Sequence, residues 1–98
     1  MALDLDTRLV CVEGLVQGVG FREACVQRAR SLRLAGWVRN RLDGSVEVML
    51  QGPSEAVARM LDWLREGPPG ARVERVTPGA IAPSMAQLMD RFERRATA

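Results

Sequence analysis

Two β-like runs, GWVRNRL (36–42) and SVEVMLQ (45–51), stand on either side of Asp43-Gly44. An Asp-Gly pair between such runs is a strong hairpin signal, because the favoured two-residue turn needs positive φ at both central positions. The middle of the chain therefore reads as an antiparallel pair from which any sheet must be built outward. Val46, Val48 and Leu50 alternate with Ser45, Glu47 and Met49, so one face of the second run has to be covered.

Each flank of this hairpin supplies one helical pattern and one further strand. TRLVCVE (7–13) is β-branched and apolar, and Gly14 bounds it. Phe21, Cys25, Ala29 and Leu32 then recur at helical spacing, with Arg28, Arg30 and Arg33 mostly opposite, and Gly36 suits the helix exit. Gly52-Pro53 opens a second helix with proline at its first position. Val57, Met60, Leu61 and Leu64 form its apolar stripe, Trp63 borders that stripe as a core residue, and Gly67 with Pro68-Pro69 ends it. ARVERV (71–76) is a short fourth strand. The order β-α-β-β-α-β is the split ferredoxin-like arrangement, an α+β sandwich with two helices on one face of an antiparallel sheet. The tail SMAQLMDRFERR (84–95) is ambiguous. Met85, Leu88, Met89 and Phe92 have helical spacing, with Ser84 and Gln87 as a capping box, so by period alone it is an amphipathic helix.

At 98 residues the chain buries only roughly 60–70% of its unfolded surface, which predicts one domain over residues 1–98 with one modest core. No apolar run approaches the roughly 18 residues of a membrane span, and MALDLD lacks the features of a signal peptide. A soluble cytoplasmic protein is expected, and a monomer, given its small size and few aromatics. There is no histidine, and all 14 basic residues are arginine. This excludes a histidine metal site, a histidine general base and a lysine-dependent phosphate loop. The net charge of +2 is too small to argue for nucleic acid. Cys11 and Cys25 read as free thiols, able to pair only if strand and helix bring them together.

The segment GLVQGVGFR (14–22) concentrates Gly14, Gly18 and Gly20 between a strand and a helix start. A dinucleotide fingerprint fails at Glu23, where the third glycine should stand. Base stacking by a ferredoxin-like sheet needs aromatics on the central strands, and LVCV and VEVML carry none. A loop of this kind can turn backbone N–H groups onto an anion, helped by the helix N-terminus. Arg22 falls in the first helical turn, where the dipole disfavours a cation by about 0.3–1 kcal/mol. A bound anion removes that conflict, with Arg22 as its clamp. The alternative is a tight β-α turn with a solvated arginine. Asn40 shares strand parity with Val38 and Leu42, opposite Trp37, Arg39 and Arg41. A polar amide on an apolar face needs a partner, either a ligand or the backbone of the Asp43-Gly44 turn.

VEGLVQGVGFR (12–22), GWVRN (36–40), DGSVE (43–47) and GPPGARV (67–73) together resemble the acylphosphatase family. Its signature reads V-x-G-x-V-Q-G-V-x-F-R, G-W-V-x-N, D-G-x-V-E and G-P-P-x-A-x-V. The resemblance covers residues 8–76 in order. It implies a sheet of order 4-1-3-2 and the hydrolysis of acyl phosphates, small-molecule substrates, to carboxylate and inorganic phosphate, with neither metal nor cofactor. It places catalysis on Arg22 and Asn40, with the amides of Val16, Gln17, Gly18, Val19, Gly20 and Phe21 as phosphoryl cradle beside Arg22. Inorganic phosphate or sulfate would then compete as anions. For the Gln17 side chain a loop-bracing hydrogen bond is expected, and for Arg39 and Arg41 solvated charge on the outer face. The rival is a non-catalytic acylphosphatase-like module binding phosphate or a protein, since the same fold and loop occur within larger carbamoyl-transfer proteins. The family commonly ends in an edge strand reading like F-E-I-R. Here RFERRATA follows a longer connection, a departure expected to touch the sheet edge and leave the cradle alone.

Overall fold

A computed structural model describes residues 4–82 and 84–98. Along the chain run β1 (Asp6–Leu15), α1 (Phe21–Ser31), β2 (Ala35–Asn40), β3 (Val46–Gly52), α2 (Ser54–Glu66), β4 (Arg72–Ala80) and β5 (Phe92–Arg94). The sheet order is β4-β1-β3-β2-β5, which is the expected 4-1-3-2 with a fifth strand added beside β2. The first four strands are antiparallel neighbours, but β5 runs parallel to β2, so the sheet is mixed.

Val10 and Val12 of β1 face Val48 and Val46 of β3, and Val38 of β2 also faces Val48. These valines join one core with Phe21, Cys25 and Ala29 of α1 and Val57, Met60 and Leu64 of α2. Each valine, leucine, methionine or phenylalanine among them contributes roughly 1.5–3 kcal/mol on full burial. Both helices are therefore held on one face by the period-2 alternation of the strands.

Several local details differ from the sequence expectation. The hairpin is a three-residue loop, Leu42 to Gly44. Arg41 N–H donates to the Ser45 carbonyl at 2.8 Å and Gly44 N–H to the Arg41 carbonyl at 3.1 Å. Only Gly44 takes a positive φ, 95°. Asp43 keeps an ordinary φ because its carboxylate accepts from both the Ser45 N–H (2.9 Å) and the Ser45 hydroxyl (2.6 Å), an Asx-type turn. Leu42 consequently leaves the strand and is exposed. The exit from α1 is made by Arg33 at φ 58°, whereas Gly36 sits inside β2, where a Cβ would run into the Met49 carbonyl. Pro53 precedes α2 as its N-cap. Asp4 serves the first turn instead, accepting from the Ser54 hydroxyl at 2.7 Å. β4 outlasts ARVERV because its pairing with β1 continues to Ala80 opposite Arg8.

The tail forms the edge strand. From β4 at one sheet edge, the chain crosses the helix-free face to β2 at the other. Ile81 N–H donates to the Thr7 carbonyl, Gln51 donates to the Gln87 carbonyl and accepts from Met89 N–H, and Gly36 N–H donates to the Arg91 carbonyl. Met85 and Leu88, two members of the helical stripe, remain exposed, and Phe92 is 1% exposed. A short isolated helix is marginal in water, whereas burying Phe92 closes the core at the open edge of β2. Burial wins.

Candidate functional site

Between β1 and α1, the side chains of Val16 and Phe21 are buried and that of Val19 packs on the core. The backbone between these anchors is thereby fixed against the sheet. Gly18 and Gly20 have φ of 77° and 76°, while Val19 does not. Such alternation turns successive N–H groups toward one concavity. A Cβ at Gly18 or Gly20 would meet nothing within 4 Å, so the left-handed backbone, not crowding, selects glycine there. No side chain caps the first turn of α1, which leaves its N–H donors available. Gly14 has a separate role. It lies at a bulge between β1 and β4, where a Cβ would collide with the Arg72 carbonyl.

The Gln17 amide donates to the carbonyls of Arg41 and Ser45, both at 2.8 Å. It thus braces the loop against the hairpin, as expected. Asn40 ends β2 in register with Val46, on the helix side with Val38. Its Oδ1 is buried and accepts no hydrogen bond among the described residues. The turn backbone does not take it up: the N–H groups of Arg41 and Gly44 donate to backbone carbonyls and that of Ser45 to the Asp43 carboxylate. An unsatisfied buried acceptor costs about 1–3 kcal/mol, and a donating water or ligand removes that cost.

Gly18, Gly20, Arg22 and Asn40 all line one cavity of about 130 Å³, together with Arg94. Arg22 Nη1 donates to the Arg95 carbonyl at 3.2 Å. The expectation that the tail leaves the cradle alone is thereby overturned. Because β5 is parallel to β2, it emerges at the same rim as Asn40. Arg95 N–H donates to the Val38 carbonyl, and Ala98 N–H to the Asn40 carbonyl. Arg94 escaped the sequence reading, although period 2 counted from Phe92 puts it on the cradle face once the edge strand is accepted. Arg39 and Arg41 do lie on the outer face, but not as solvated charges. Both pair with Glu47, at 2.7 and 3.5 Å, and Arg39 stacks on Trp37 at 4.9 Å. Glu47 stands directly opposite Arg39 in the register. A wider hollow of about 310 Å³ borders Glu13, Asp43 and Glu74, the wrong sign of charge for a phosphoryl group.

Neither thiol belongs to this cavity. Cys25 is buried in the core, where burial pushes its thiol far above the ordinary value. Cys11, between inward Val10 and Val12, faces the other side of the sheet, and burial raises its thiol too. Being on opposite faces, the two do not meet. A Cys11→Ser, Cys25→Ser double variant is expected to keep its turnover. Its melting temperature should fall, since the second substitution would bury a hydroxyl among apolar groups at a cost of about 1–3 kcal/mol. A folded double variant without turnover would reveal a cysteine nucleophile.

The chain is similar to proteins of one family. The acylphosphatase family model matches residues 9–93. The chain is 51% identical to an acylphosphatase of Polaromonas naphthalenivorans, over 91% of this chain and 87% of the relative. It is 53% identical to acylphosphatase 1 of Ralstonia nicotianae, over 94% and 89%. The solved acylphosphatase of Coxiella burnetii superposes with a TM-score of 0.88 at 36% identity, covering 94% of each chain.

Proposed function

This chain belongs to the acylphosphatase family, and from that premise we propose how its residues hydrolyse an acyl phosphate. Water attacks phosphorus of R–CO–O–PO₃²⁻, the bond from phosphorus to the acyl oxygen breaks, and a carboxylate and inorganic phosphate leave. The carboxylate is a weak base and needs little acid assistance, so the protein's task is positioning and charge stabilisation. The backbone amides of residues 16–21 and the Arg22 guanidinium hold the phosphoryl oxygens. Asn40 Oδ1 accepts a hydrogen bond from the attacking water and orients it. The water's other proton passes to a phosphoryl oxygen of the substrate, which lies beside the attacking oxygen; the chain has neither histidine nor lysine to take it. The reaction uses no metal and no cofactor.

The observation carrying this reading is the orphaned, buried Asn40 Oδ1 on a cavity that Arg22 and the left-handed Gly18 and Gly20 also line. The chain acts as one domain over residues 1–98, a cytoplasmic monomer with no nucleic-acid or membrane partner. No described helix is long and apolar enough to cross a membrane. Phosphate release from benzoyl phosphate, measured after exhaustive chelation, is expected to proceed at the unchelated rate. Inorganic phosphate and sulfate, at on the order of tens of millimolar, should compete with substrate and raise the melting temperature by binding the folded state. Phosphate binding with no hydrolysis would instead indicate a non-catalytic binding module. Activity lost on chelation and restored by Mg²⁺ or Zn²⁺ would contradict the mechanism.

A further inference from the structure

β5 brings to the cavity a cation for which the steps above have no use. Phe92 faces the helices, and two residues on, Arg94 shares that face, opposite Val38 in the register. Its neighbours point the other way. Arg95 stacks on Trp37 at 4.8 Å and lies 3.8 Å from Glu93. Arg94 instead lines the cavity that holds Arg22 and Asn40. Glu23 lines it as well, yet among the described residues no ion pair within 4.0 Å involves Arg22, Glu23 or Arg94. Two guanidinium groups and a helix N-terminus thus share one space with a single carboxylate, an excess of positive charge that favours an entering anion.

Position decides which anion group Arg94 meets. Arg94 lines the same cavity as Gly18, Gly20, Arg22 and Asn40, so an anion drawn to Arg22 and the N-terminus of α1 lies in a space whose wall Arg94 completes. Arg22 is tethered to the carbonyl of Arg95, the residue after Arg94, so the tail brings both cations to the same rim. We infer that Arg94 is a second cationic contact for the phosphoryl group, making the site a two-arginine clamp for acyl phosphates and for the phosphate product. This rests on the cavity being the phosphoryl site.

Arg94→Ile and Arg94→Lys in the full chain test it, with inorganic phosphate followed by calorimetry and as a competitor of benzoyl phosphate. Arg94→Ile should weaken phosphate binding and raise the KM for benzoyl phosphate about tenfold each, the size of a partly solvent-screened charge-assisted contact. Arg94→Lys, which keeps the charge, should recover most of that loss. The melting temperature without phosphate should not fall, because the Arg94 side chain makes no ion pair among the described residues to lose, whereas the increment from added phosphate should shrink. Unchanged phosphate affinity in Arg94→Ile would overturn the inference, as would a lysine variant no better than isoleucine. Calorimetry separates the two readings. Wild-type protein that binds phosphate through Arg94 but leaves benzoyl phosphate intact would remove the activity and uphold the clamp.

Discussion

Arg22→Ala is expected to abolish phosphate binding and turnover together, lowering kcat/KM by about a thousandfold or more. The guanidinium lies at the first turn of α1, beside the uncapped N–H donors, and in the proposed mechanism it meets the phosphoryl group in the ground state and the transition state alike. It is also held in place before substrate arrives, through Nη1 and the Arg95 carbonyl. Arg22→Lys should therefore rescue little. One ammonium cannot keep that tether and offer a planar pair of donors to the anion. The fold should survive the alanine change, because removing a cation from a helix N-terminus relieves an unfavourable contact of about 0.3–1 kcal/mol. Thermal melts without phosphate should match wild type, and added phosphate should no longer raise them. An Arg22→Ala protein with ordinary phosphate affinity would place the anion elsewhere.

The parts of the fold readable from sequence are those with one clear period. Val46, Val48 and Leu50 could only be a strand with one buried face, and Val57, Met60 and Leu64 only a helix stripe. Local conformation was less legible where side chains redirect the backbone. Ser45 draws the Asp43 carboxylate into an Asx turn and lengthens the hairpin loop by one residue. Arg33 takes a left-handed φ that composition assigns to glycine. The tail was the hardest, since Met85, Leu88, Met89 and Phe92 satisfy a helical period. Only the open edge of β2, set by distant parts of the chain, selects Phe92 for burial.

The site follows the same division. Gly18, Gly20, Arg22 and Asn40 stand in local motifs whose chemistry is visible in the sequence. That they line one cavity depends on β1 and β2 running parallel on either side of β3, which the βαββαβ order already implies. Arg94 has no motif of its own. Its position follows from the parallel pairing of β5, a long-range outcome that no spacing in residues 84–95 announces.

Asn40→Ala isolates the step at the centre of the mechanism. If Asn40 only orients the attacking water, its loss acts on the transition state and leaves the bound phosphoryl group undisturbed. Because Oδ1 has no partner among the described residues, truncation orphans no other group there and removes an unsatisfied acceptor. The variant should be folded by circular dichroism and melt no lower than wild type. The measurement is kcat for benzoyl phosphate beside the affinity for inorganic phosphate on the same folded protein. The expected result is a fall in kcat of at least about a hundredfold with phosphate affinity near normal. A folded Asn40→Ala enzyme with near-normal kcat and weakened phosphate binding would contradict it.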